Sequence, residues 1–457
     1  MTLGAIDRLP TSRDAAEPRA AVGERYLAFL CICLMGYALL SKAFAYIGVA
    51  PLFIGEVALM LGVVVFMRLP GWTRLLQVSP VWPLLGLIAW SVLRTLPFIP
   101  VYGVLALRDA TVYGYALFAL VVCLLIQSRP ERIALLLRRY GKFIAVFIAF
   151  MPIQAILHRF MTEKPDLPWA ANVPVISMKE SDVMVHLGGI LAFWIVGFAG
   201  EVSWAWLALM VFIVSLVGLV DRSGMVAFLF CAIVGFGLRP KSRVPWRLMV
   251  LLSIGLMVLW ITQFRVDLPG GKGRDISLDQ VVANVTSIAG ADTGSESLDS
   301  TKEWRMDWWH EIIRYTVYGP YRWTGKGFGI NLADDDGFRL DQDGTLRSPH
   351  SVHMTFLARG GLPGLSLWIL TQLTWMAGII GGYVSARRMR DLRWQGVFLF
   401  LGCYWAAFLI NASFDVFLEG PMGGIWFWCI FGVGLGAMWV FDHCPEALGA
   451  NWQEGPA

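Results

Sequence analysis

Charge is what this sequence has least of. Only 15% of its 457 residues are charged, while 57% are hydrophobic; soluble globular chains carry roughly 25% charged residues. The deficit excludes an ordinary soluble enzyme, and the hydrophobic excess excludes a disordered chain. Cysteine offers no scaffold. Cys31, Cys33, Cys123, Cys231, Cys403 and Cys429 lie inside apolar runs, Cys444 lies near the end, and none falls in the largest polar segment. That distribution argues against a disulfide framework, and no spacing suggests a zinc site. Nor does the start of the sequence read as a signal peptide. Arg8, Arg13, Arg19 and Arg25 are interleaved with acids, and no small-residue cleavage site follows the first apolar run, so residues 1–25 read as a cytoplasmic tail. There is no internal repeat and no low-complexity tract.

What is present is a series of apolar runs at 26–46, 51–67, 81–97, 110–127, 142–157, 184–199, 203–220, 224–238, 247–264, 358–384, 395–412 and 421–441. Each suits a helix crossing a hydrocarbon core of about 30 Å. The expected fold class is therefore an all-α integral membrane protein of about twelve transmembrane helices. Lys and Arg concentrate in alternate connections: Arg68 and Arg74; Arg129, Arg132, Arg138, Arg139 and Lys142; Arg239, Lys241, Arg243 and Arg247; Arg387, Arg388, Arg390 and Arg393. Basic loops stay cytoplasmic. Count and charge then agree only if both termini are cytoplasmic. The expected organisation is a tail over 1–25, spans over 26–264, a large outward loop over 265–357, three further spans over 358–441, and a tail over 442–457.

Residues 265–350 are far longer than a helix connection needs, and loops of that size are functional or disordered. Ser300-x-x-Glu303 reads as a capping box opening a helix to Tyr318, which Gly319-Pro320 ends. Trp304, Trp308, Ile312 and Tyr315 form one stripe, with Trp309 and Ile313 beside it; such a helix suits a membrane interface. Residues 267–299, rich in Gly, Ser and Asp, read as a linker.

Unusual polar groups gather on the outward side. Arg222 follows Asp221 at the end of a span, either snorkelling to the interface or facing a ligand. Arg305 has the planar fork that suits phosphate, or it is a solvated face residue. Ser348-Pro349 reads as N-cap and N1 of a helix, which puts His350 in the first turn, where the dipole keeps imidazole neutral as a general base requires. His353 is the competing candidate, and either is alternatively an interfacial His or part of a His-x-x-His metal pair. Arg347, Trp309, Asp415 and Glu419 are further candidates; the two acids are placed to orient a base or a sugar, or are ordinary interfacial acids. Gly325-Lys326-Gly327-Phe328-Gly329 has the look of a phosphate loop but reads better as a turn. Asp334, Asp335, Asp336, Asp341 and Asp343 read as a solvated acidic loop rather than a calcium site.

Taken together, these motifs resemble the O-antigen ligase and polymerase superfamily of bacterial polysaccharide assembly. Arg222-Ser223-Gly224 resembles its Ser-Arg-Gly segment, with Asp221 where Ser is usual. Arg305 to Trp309 resembles its Arg-x-x-x-Trp element, and Gly325–Gly329 its Gly-x-Gly turn. His350 to Gly361, followed by Leu362-Pro363-Gly364, resembles its His-Asn segment leading to Gly-Leu-x-Gly, with Ser351 where Asn is common. The resemblance implies a membrane glycosyltransferase of the bacterial inner membrane, working at the periplasmic face without cofactor or metal. It implies an undecaprenyl-diphosphate-linked glycan as donor, a hydroxyl on a glycan or lipid core as acceptor, a membrane-lipid context, and no nucleic acid. His350 would be the catalytic base, and Arg222 and Arg305 would bind the diphosphate. A ligase is favoured over a polymerase, and a flippase of lipid-linked glycans is the rival of another class.

Overall fold

The computed structural model describes residues 12–449 apart from 162, 219–220, 240, 263–265, 268–274, 277–295 and 340–345. Asp341, Asp343 and most of the expected linker at 267–299 lie outside the described residues. Helix dominates; the strands among the described residues form three two-stranded hairpins, none longer than five residues. Every apolar run expected to span contains helix. Among the described residues seven helices are long and apolar enough to cross a membrane: Ala21–Leu40, Val81–Tyr102, Arg132–Phe160, Val244–Thr262, Val352–Arg388, Leu392–Ala412 and Pro421–His443. The run at 110–127 is divided between Val104–Gly114 and Ala116–Ser128, bent by 42°, which makes eight if the pair is one span. Ile54–Arg68, Glu180–Ile195, Trp204–Val217 and Arg222–Leu238 have 15, 16, 14 and 17 residues. At 1.5 Å per residue they reach roughly 21–26 Å, short of a full hydrocarbon core.

Glu180–Ile195 is buried almost all round, because it sits between Arg222–Leu238 and Leu392–Ala412. Two glycines make the approach possible. A Cβ on Gly188 would stand 3.2 Å from Cys231 Sγ, and one on Gly189 would stand 2.5 Å from the Tyr404 ring. Close packing through small residues is the usual source of cohesion between helices in lipid.

The large polar segment departs from its expected form in three ways. Its helix runs Glu296–Thr316, so Ser300 lies inside it rather than at its start. Its aromatic stripe does not face lipid. Trp308, Ile312 and Tyr315 are buried with Leu332, Ala333, Leu357 and Ala358 in a second core that docks the loop onto the start of Val352–Arg388. The stripe found a protein partner, and burying it there satisfies the same hydrophobic drive. Lastly, Ser348-Pro349 does not start the following helix. Ser351 is its N-cap residue, and His350 stands outside it with φ 52.

Val352–Arg388 is itself broken at Gly361 (φ 65, ψ −166). The break frees carbonyls, and each of three finds a donor: Lys326 N–H to Ala358 O (2.7 Å), Gly327 N–H to Arg359 O (3.0 Å) and Trp90 Nε1–H to Gly360 O (2.8 Å). Irregular backbone beside lipid is tolerated only when satisfied in this way. The Gly325–Gly329 segment is thus a turn, with positive φ at Gly325, Gly327 and Gly329, and it splints the broken helix.

Candidate functional site

The site is assembled from helix ends of the bundle, the middle of the loop helix and the segments that follow. Asp221 caps Arg222–Leu238, its Oδ1 accepting Gly224 N–H at 2.8 Å, as short acidic side chains do at helix starts. Arg222 is the first helical residue. Ser223 Oγ stands 2.7 Å from Asp221 Oδ1 and 2.8 Å from Asn411 Oδ1, which ties this helix end to the end of Leu392–Ala412. From the loop, Glu296–Thr316 brings Arg305. Burial lowers the pKa of its guanidinium, and the charges acting on it are those of Asp415, Asp221 and Arg222. Its Nε is buried without a hydrogen-bond partner among the described residues.

His350 arrives from the end of the loop. Its left-handed backbone is sparsely populated by non-glycine residues. Trp309 Nε1–H holds the preceding carbonyl, Pro349 O, at 2.8 Å, and the Trp304 ring meets the imidazole edge-on at 6.0 Å. His350 Nδ1 is buried, has no hydrogen-bond partner among the described residues, and lies 3.8 Å from Asp415 Oδ1. Asp415 is also held by Lys179, whose Nζ is 2.5 Å from Oδ2. Burial pushes the Asp415 carboxyl up, but Lys179 and His350 outweigh it and hold it well below the usual carboxylate range. Arg222, Arg305, His350 and Asp415, candidates from distant parts of the chain, therefore form one cluster.

The other candidates fall elsewhere. His353 lies inside the helix, where Trp368 Nε1–H donates to its Nδ1 (3.0 Å) and its Nε2 meets Ser413 Oγ (3.0 Å). Indole is only a donor, so Nδ1 is an acceptor and Nε2 carries the proton. Arg347 grips Asp109 with two bonds, at 3.1 and 2.9 Å, and Arg359, 1% exposed, reaches the same carboxylate at 3.1 Å. Glu419 accepts from Thr355 Oγ1 at 2.8 Å; burial raises its pKa despite the nearby Arg359 charge. Asp335 and Asp336 clamp Lys326, and Asp336 also accepts from Trp308 Nε1 at 2.7 Å. Among the described residues no group of three His, Cys, Asp or Glu is placed to share a metal ion.

Residues 183–369 match the family described as O-antigen ligase. The match supports a likeness of this region to the O-antigen ligase superfamily. No match is found among curated proteins. The ligase region contains Asp221 to Gly224, Arg305 to Trp309 and His350 to Gly364, and it leaves out Lys179, Asp415 and Glu419. At a coarse level the family supports glycosyl transfer of the ligase or polymerase type, with lipid-linked glycans as substrates in a membrane setting.

Sequence reasoning missed Lys179, Asn411, Asp109 and Arg359. Arg359 carried a usable signal, because it falls inside the expected span at 358–384, and an intramembrane Arg marks either a partner or a site. Lys179 and Asn411 carried none, since their importance depends on contacts that span 236 and 188 residues of chain.

Proposed function

We propose that this protein transfers a glycan from undecaprenyl diphosphate to an acceptor hydroxyl at the periplasmic face of the inner membrane, as a ligase. The observation that carries the reading is the convergence of Arg305, Asp221 and Arg222 with His350 in one cluster. Arg222 and Arg305 bind the donor diphosphate and stabilise the charge that develops on the leaving phosphate oxygen. The buried, unpartnered Arg305 Nε supports that role, since a guanidinium edge kept out of water without an acceptor suits an incoming phosphate. His350 takes the hydroxyl proton as the acceptor oxygen attacks the sugar C1 and the C1–O bond to phosphate breaks. The diphosphate leaves with the bonding pair, so the chain's own groups suffice for the step. Arg347 and Glu419 bind no substrate in this reading; they hold the loop and the helix start that carry the site.

The test is purified full-length protein in lipid, given a lipid-linked glycan and candidate acceptors, with product size as the readout. One transfer per acceptor is expected; a ladder of products would make the protein a polymerase, and no transfer with any acceptor would overturn the reading. In the same assay Arg305→Lys, which keeps the charge but loses the fork, should lower turnover by about 10-fold or more.

A further inference from the structure

The reading of His350 as the base leaves open what fixes its ring, because the imidazole has two nitrogens and only one can receive the acceptor's proton. We propose that Lys179 and Ser181 hold Asp415 as the acceptor for His350 Nδ1–H, so that Nε2 is the nitrogen that takes the proton. Lys179 and Asp415 are then positioning residues, and the inference rests on His350 being the base.

The geometry leaves the Asp415 carboxylate little freedom. Oδ2 is held by Lys179 Nζ at 2.5 Å and by Ser181 Oγ at 3.3 Å. Oδ1 accepts the N–H of Val416 at 2.8 Å and has a second lone pair to give. His350 Nδ1 is the buried polar atom 3.8 Å away with no partner of its own. A movement of about 1 Å would bring the pair within hydrogen-bond reach, and such bonds commonly tighten only when substrate binds. The His350 side chain is 25% exposed although Nδ1 is buried, so its open part lies among the other atoms, and Nε2 is the ring nitrogen left for the acceptor. Lys179 is itself neutralised from two sides, with Asp182 Oδ1 3.9 Å away; burial disfavours its ammonium, but Asp182 and Asp415 more than offset this and raise its pKa.

In the step, the acceptor O–H proton passes to His350 Nε2, the acceptor oxygen bonds to C1, and the C1–O electron pair leaves on the diphosphate. Asp415 remains ionised and takes no proton; it stabilises the imidazolium that forms, which afterwards gives its proton to water or to the leaving diphosphate.

A double-mutant cycle in the reconstituted transfer assay tests this, with full-length Asp415→Asn, Asp415→Glu, His350→Ala and the His350→Ala/Asp415→Asn pair. Asp415→Asn should lower kcat by about 100-fold or more with little change in KM, Asp415→Glu should recover part of the loss, and the double variant should be no slower than His350→Ala alone. Lys179→Met should fall between wild type and Asp415→Asn. Losses that multiply in the double variant would overturn the positioning role, as would a KM defect with kcat intact, which would assign Asp415 to Arg305 and donor binding. Full activity in His350→Ala would remove the base itself and this inference with it, a failure visible in that single variant.

Discussion

His353 is engaged on both ring nitrogens: it accepts from Trp368 Nε1 and donates to Ser413 Oγ, whose own hydroxyl lies 2.8 Å from Leu409 O. Protonating Nδ1 would set two N–H groups against each other, so this ring is poorly placed to serve as a base. His350 has the opposite character, with a strained backbone, a buried nitrogen without a partner, and a quarter of its side chain open. The two should fail differently. His353→Ala strands the indole N–H of Trp368, which is fully buried, and should cost about 1–3 kcal/mol of stability while turnover survives. His350→Gly relieves a positive φ and deletes an unpaired nitrogen, so thermal stability should hold or rise while transfer falls by about 100-fold to 10,000-fold. Melting temperature and kcat measured on both variants decide the matter, and the reverse pattern would make His353 the base. The sequence placed both histidines near the site but could not rank them by contact. The groups that engage His353 lie 15 and 60 residues away, and local spacing carries no trace of them.

At the scale of elements, the break at Gly361 organises the face of the bundle that carries the loop. Gly360-Gly361 followed by Pro363 inside an apolar run is punctuation that local rules do detect. What they do not detect is the partner, the Arg322–Gly329 turn that supplies donors to the freed carbonyls and accepts Leu362 N–H on Arg322 O at 2.8 Å. The same asymmetry explains the loop helix. Its apolar stripe was legible from spacing, but the surface it covers was not, because lipid and a protein groove reward the same stripe. A Cβ at Gly361 would stand 2.7 Å from Arg322 O and 2.9 Å from the backbone nitrogens of Thr324 and Gly325, at a φ that L residues avoid. Gly361→Ala should therefore cost about 1–3 kcal/mol from backbone strain alone, before the clash is counted. The expected result is a lower melting temperature, faster proteolysis within 318–330 and weakened transfer together. A variant of wild-type stability would mean that the turn and the helix break are not coupled.

For the whole molecule, the question is what makes the large loop and the helical bundle one body. Hydrophobic docking through Trp308 and Ile312 is one part of the answer. The other is Asp109, on the helix Val104–Gly114, whose single carboxylate gathers Arg347 through two bonds, the buried Arg359, and Gly329 N–H at 3.0 Å. Arg347 is three residues from His350, so this knot fixes where the proposed base emerges from the loop. Twelve apolar runs were readable from hydropathy, yet Asp109 sat unnoticed at the edge of one, since a carboxylate there looks like any interfacial acid until two guanidinium groups are seen on it. Asp109→Asn keeps the shape and removes the charge, leaving Arg359 buried against a neutral amide. Breaking a buried pair by taking away one partner costs about 3–5 kcal/mol. The variant should insert normally, melt at lower temperature, expose the 318–347 region to protease and lose transfer, with lipid-linked donor restoring part of the stability by binding the folded form. Normal stability and activity would show that hydrophobic docking alone holds the loop, and that Arg347 and Arg359 have no part in placing His350.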